Sequence, residues 1–128
     1  MRSPGPVALL ILAACGGGAA PRAPASLAPT LRIVNFTYSP QRLEVTPGAS
    51  IVVLNEDPVQ HSVTSAAAPG VFTYGTVNGL GFDTGPFTGA RVISIPGNAT
   101  VGTVVPYFCR LHAGAMVNEG EIAIVAPP

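Results

Sequence analysis

The chain is 128 residues long, the usual size of one domain, and at 48% hydrophobic against 9% charged residues it is far too apolar for intrinsic disorder. Fifteen glycines and fourteen prolines, with no Trp, exclude a helical bundle and favour a loop-rich, all-β domain. The six basic residues are all Arg and are matched by six acidic ones, so no basic face exists to hold nucleic acid.

In chain order, Met1 to Ala14 carries Arg2 and then an apolar run from Val7 to Ala14. The run is too short for a bilayer, which needs about 20 residues, and reads as the core of an export signal. The junction Leu12-Ala13-Ala14-Cys15 resembles the bacterial lipobox. That resemblance implies a lipoprotein signal peptide over 1–14, with Cys15 lipidated as the mature N-terminus. The alternative is a plain secretory signal with Cys15 a bystander. Both readings export the protein. Residues 15–30 are Gly, Ala, Pro and Ser with a single Arg22, a composition with no face to bury, and read as a flexible tether. The folded domain is expected over 31–128.

Leu31 to Tyr38 is β-branched and aromatic and reads as one strand, with Leu31, Ile33 and Asn35 on one face and Arg32, Val34, Phe36 and Tyr38 on the other. Leu43 to Thr46, Ser50 to Leu54 and His61 to Ser65 read as further strands, with Pro47-Gly48 and Asn55 to Pro58 as turns. Ala66 to Gly89 is punctuated by Gly and Pro and reads mostly as loop. Ala90 to Ile95, Thr103 to Cys109 and Glu121 to Val125 complete the strands. Short strands at this spacing, without a helical period, predict a β-sandwich. Phe36, Tyr38, Phe72, Phe82 and Phe87 read as core or loop-packing aromatics, and Asp83 as a turn residue without a catalytic role.

The chemistry concentrates in few residues. With Cys15 assigned to lipid, Cys109 is the one thiol left, and an unpaired thiol in an oxidising compartment must be buried or bound. His112 follows three residues later and Met116 four after that, while the other histidine, His61, lies far upstream. Taken singly, a strand His or a loop Met is usually structural. Together, two imidazoles, a thiolate and a thioether form a borderline-soft donor set that suits copper and disfavours Mg²⁺ and Ca²⁺. Zinc is possible at His₂Cys, but the inherent affinity order puts Cu²⁺ above it. A Cys–His nucleophile pair would leave His61 and Met116 without a role.

Asn55-Glu56-Asp57-Pro58-Val59-Gln60-His61-Ser62-Val63, Phe82-Asp83-Thr84-Gly85, and Tyr107 through Met116 with Gly120, Ile122 and Val125 resemble, in that order, the blue copper proteins (cupredoxins) of the plastocyanin, pseudoazurin and amicyanin kind. The resemblance spans roughly 31–126. It implies a Greek-key β-sandwich holding one copper, with His61, Cys109 and His112 as trigonal ligands and Met116 as the weak axial ligand. Family members commonly place two or four residues between the second His and the Met. Here three intervene, Ala113, Gly114 and Ala115, so the axial bond and the redox potential are where this chain departs from the pattern.

The function expected is that of an exported, membrane-anchored one-electron carrier rather than an enzyme. It would be a monomer at a periplasmic or other extracytoplasmic face, meeting redox partners near His112. The alternatives are a copper storage, delivery or resistance protein with the same ligands, or an adhesive sandwich whose His and Cys are incidental.

Each buried CH₂ of a lipid contributes about 0.8 kcal/mol, so an acylated N-terminus with two or more chains holds a protein on the membrane. Cys15→Ala is expected to move the protein from the membrane to the soluble fraction. Retention of the variant in the membrane fraction would sink the anchor.

Overall fold

A computed structural model describes residues 28–116 and 120–128. The expected export signal, Cys15 and the expected tether up to residue 27 lie outside the described residues. Those described form strands and loops without a helix, in the order β1 (Thr30–Val34), β2 (Thr37–Ser39), β3 (Arg42–Val45), β4 (Ser50–Asn55), β5 (Thr64–Ser65), β6 (Gly89–Ser94), β7 (Val104–Phe108) and β8 (Gly120–Ile124).

Two four-stranded sheets face each other, one ordered β2-β1-β4-β6 and the other β3-β8-β7-β5. Each is mixed: β1 and β4 run parallel, as do β3 and β8, and the remaining pairs are antiparallel. Every connection from β2 to β7 crosses between the sheets, as the expected Greek-key sandwich requires. Strand alternation drives the layers together. Leu31, Ile33, Ile51, Val53 and Ile93 point inward from one sheet and Val45, Val105, Ile122 and Ile124 from the other, all at most 4% exposed. Burying each such side chain contributes about 1.5–3 kcal/mol.

The expected single strand over 31–38 is two strands. Val34 pairs with Thr37, leaving Asn35 and Phe36 as a two-residue hairpin loop with φ of 50° and 58°. Positive φ at both loop residues is the twist-matched type I′ turn. The reversal breaks the alternation, so Tyr38 is buried rather than outward-facing, whereas Phe36 is 42% exposed.

The long stretch after β5 contains no strand, as expected, but it is not loose. Leu80, Phe82 and Phe87 are buried in the core. Residues 82–87 run antiparallel to 61–65 through Ser65 N–H to Phe82 O (2.9 Å), Thr84 N–H to Val63 O (3.1 Å) and Phe87 N–H to His61 O (2.9 Å). This segment closes the edge of the second sheet and fixes the backbone of His61. Phe72, at 43% exposure, packs on Phe108 at the surface.

Candidate metal centre

The segment 61–65 lies between two neighbours. On one side is 82–87; on the other Thr64 pairs with Phe108, which brings His61 to the end of β7. Cys109 follows β7 directly. The chain then turns, with His112 N–H reaching Cys109 O at 3.3 Å and Ala115 N–H reaching His112 O at 2.9 Å. That turn folds His112 back over the strand end it has just left.

The structure thereby brings three of the sequence-predicted site residues together. His61 Nδ1 and His112 Nδ1 are 3.2 Å apart, Cys109 Sγ is 3.5 Å from His112 Nδ1, and it is 3.8 Å from His61 Nδ1. Bonds of about 2.0 Å to nitrogen and 2.3 Å to sulfur in a trigonal plane require donor separations of about 3.5–3.7 Å. The triangle fits a transition-metal ion. His61 and Cys109 are buried and His112 half-buried, and they are the His, Cys and acidic group among the described residues whose donor atoms converge in this way. Lone pairs aimed at one point repel unless a cation or a proton stands between them.

Met116 closes the same loop. It is 3% exposed, belongs to the apolar core, and its N–H bonds His112 O at 3.1 Å.

The surroundings fix each donor. Ser62 N–H points at Cys109 Sγ over 3.4 Å, the partner a thiolate needs. Ser62 Oγ accepts from Arg110 N–H at 2.9 Å and bonds Thr64 Oγ1 at 3.0 Å, and Tyr38 Oη donates to Ser62 O at 2.6 Å. Thr64 Oγ1 donates to Asp83, which accepts Gly85 N–H within its turn and pairs with Arg110 at 2.6 Å. Asp83 is thus a turn residue, as expected, and also a brace on the Cys109 loop.

Two residues that sequence reasoning missed complete the site. Asp57 Oδ2 is 2.8 Å from His61 Nε2. A carboxylate only accepts, so Nε2 carries the proton and Nδ1 keeps its lone pair for a metal. Burial pushes the Asp57 carboxyl upward, but hydrogen bonds from the Phe36 amide, the His61 ring and the Asn35 amide outweigh it and hold it below the usual range. Phe36 sets its ring edge-on to both imidazoles, 4.9 Å from each centroid. An Asp four residues before a His was a signal available in the sequence; the Phe36 contact was hidden by the hairpin.

No family model matches the sequence, and no curated protein is significantly similar to it. Comparison of structures is decisive about the fold. A purple cupredoxin from Nitrosopumilus maritimus superposes over 75% of this chain and 98% of its own, at 21% identity and a TM-score of 0.52. A reduced Cu(I) form of an amicyanin variant covers 78% of this chain and 84% of its own, at 17% identity and 0.57. The chain has the cupredoxin fold. A Cu-containing nitrite reductase from Thermus scotoductus matches over 80% of this chain at 19% identity and 0.59, but this chain spans only 23% of that protein. The cupredoxin sandwich explains why the donors meet where they do: one comes from the segment leading into β5 and the others from the loop after β7, at the same end of one sheet.

Ser62 is where the two segments meet. Ser62→Ala deletes a buried hydroxyl and leaves Arg110 N–H without its acceptor, which costs about 1–3 kcal/mol. The variant is expected to unfold at lower urea concentration with an unchanged m-value. An unchanged midpoint would show that Ser62 does not tie the segments.

Proposed function

We propose that the chain is an exported, lipid-anchored type 1 (blue) copper protein that carries one electron at a time between redox proteins. The observation that carries this reading is the triangle of two imidazole nitrogens and one cysteine sulfur, two of the three residues buried, on a cupredoxin sandwich. His61, Cys109 and His112 would hold the ion, with Met116 as a weak axial donor. The copper named for the nitrite reductase and for the amicyanin form supports the choice of metal, as does the soft donor set itself.

Copper, when bound, supplies a reversible one-electron couple between Cu(II) and Cu(I). The chain's own residues hold the donors still. Ser62 N–H offsets thiolate charge on Cys109, and Asp57 fixes the tautomer of His61. Cys109 and His61 are buried and Phe36 lies across both imidazoles, which leaves little room for a small-molecule substrate and supports a carrier over an enzyme. His112 is the donor nearest solvent. Exposed Leu111, Ala113, Gly114 and Ala115 flank it without charge, a surface on which a redox partner docks by apolar burial with weak dependence on salt. The lipid on Cys15 would keep a monomer at the extracytoplasmic face of the cell membrane.

Because the thiolate rather than the thiol binds metal, Cys109→Ser is expected to abolish the intense visible band that Cu(II) produces in the wild type, while the circular dichroism of the sandwich is retained. Wild-type protein that binds Cu(II) stoichiometrically and stays colourless would overturn the blue-copper reading. Irreversible voltammetry with slow self-exchange would point to copper delivery instead.

The axial position has its own test. Met116→Leu should keep the colour and raise the potential, and Met116→Gln should lower it. Shifts below about 30 mV, or about 0.7 kcal/mol for one electron, would make Met116 a packing residue.

A further inference from the structure

The carboxylate of Asp57 faces only donors. It receives His61 Nε2–H at 2.8 Å on Oδ2, Phe36 N–H at 2.8 Å on the same oxygen, and Asn35 N–H at 2.7 Å on Oδ1. Its side chain is 7% exposed. The two amides belong to the hairpin turn whose residues both have positive φ, and a Phe at φ 58° occupies a position that favours glycine. Left-handed backbone costs about 1–2 kcal/mol for such a residue. A strained residue persists where its surroundings hold it, and here the holder is Asp57. The strained residue is also the one whose ring meets both His61 and His112.

We propose that Asp57 is a positioning residue that sets the redox poise of the metal centre: one buried carboxylate hydrogen-bonds the outer nitrogen of His61 and, by holding the Asn35-Phe36 turn, keeps the Phe36 ring against both imidazoles. The proposal rests on the copper reading above. A carboxylate on the far nitrogen of a ligating imidazole makes that imidazole a stronger donor. The added negative charge favours the more highly charged ion, so Asp57 stabilises Cu(II) relative to Cu(I) and lowers the potential. The hydrogen bond is buried, with side-chain exposures of 0% for His61 and 7% for Asp57, and a charge screened less by water acts more strongly. Glu56, next in sequence, is a carboxylate of a different kind: it pairs with Arg32 at the surface and touches neither imidazole.

The decisive variant is Asp57→Asn in the full, copper-loaded chain. Its amide oxygen, set at the Oδ2 position, still accepts His61 Nε2–H and Phe36 N–H, so the tautomer and the donor triangle are kept while the charge and the acceptor for Asn35 N–H are removed. The blue band is expected to persist while the ratio of Cu(II) to Cu(I) affinity falls at least tenfold, a rise in potential of about 59 mV for one electron. Glu56→Gln should shift the potential by less than a third of that. A retained band with an unmoved potential overturns the proposal, and so does an equal shift in both variants, which would mean bulk charge rather than this contact. If Asp57→Asn alone does not fold, adding Asn35→Gly relaxes the turn at a position where glycine accepts the observed φ, and the same shift is expected.

A second readout needs no metal. In copper-free wild type the His61 Nε2–H proton should give a slowly exchanging nuclear magnetic resonance signal that Asp57→Ala loses; its absence from wild type overturns the proposed role of Asp57. A wild type without a blue band overturns the copper reading instead, and the imidazole proton still reports on the Asp57–His61 hydrogen bond.

Discussion

Everything at the metal centre depends on the lock between residues 61–65 and the end of β7. His61 and Cys109 are 48 residues apart in sequence, and their donor atoms are 3.8 Å apart. No local turn can set such a separation. It is set by the Thr64 to Phe108 register, by the Ser62 hydroxyl taking the amide of Arg110, and by the Ser62 amide aimed at the Cys109 sulfur. Segment 82–87 holds the other side, so the backbone of His61 is bonded through both its amide and its carbonyl to Phe87. A donor on a backbone tied in this way moves only if the sheet edge moves. That is the precision a metal site asks of its scaffold.

The second requirement is to keep a carboxylate beside His61 without letting burial neutralise it. Desolvation alone would favour the protonated acid, and a protonated Asp57 would no longer be a pure acceptor for the imidazole. The backbone solves this by aiming two amides at the carboxylate from a turn whose conformation is itself unfavourable. Asn55 holds the approach: its Oδ1 accepts Asp57 N–H at 3.0 Å, while its Nδ2 donates to Val59 O and Phe87 O at 2.9 and 2.7 Å. The polar turn between β4 and His61 is therefore a rigid bracket. Its hydrogen bonds run to Asp57, which bonds the imidazole, and to Phe87 O, which also accepts the His61 amide.

The sequence shows the strands and the donors more readily than the structure between them. Alternation marked β3, and short apolar or β-branched runs bounded by turn residues marked β4, β6, β7 and β8, each to within a residue. His61, Cys109 and His112 stood out because they are scarce and chemically matched. What failed was Leu31 to Tyr38. Asn35-Phe36 lacks the glycine that usually marks a type I′ turn, and Phe36 supports a strand by propensity, so the reversal was invisible. The same turn hid the contact of Phe36 with both imidazoles and the two amides that hold Asp57. The reason is general for this chain: a residue kept in a strained conformation by a distant side chain contradicts its own local preference. Met116 is the reverse case, legible as a candidate from its scarcity and buried at the foot of the loop, with a spacing from His112 that its neighbours in sequence do not explain.

The arrangement of the donors also bears on how an electron carrier can work. In a flexible site, each change of ion charge would be followed by movement of side chains and water, and that movement would slow every transfer. Here the side chains of His61 and Cys109 are buried and held at the sheet edge, at separations close to what a trigonal ion needs. The entropy of ordering them is met by folding, through apolar burial in the sandwich, rather than by metal binding. Donor positions determined by the β-sheet edge rather than by the ion would serve both oxidation states of a metal bound there with little change in geometry.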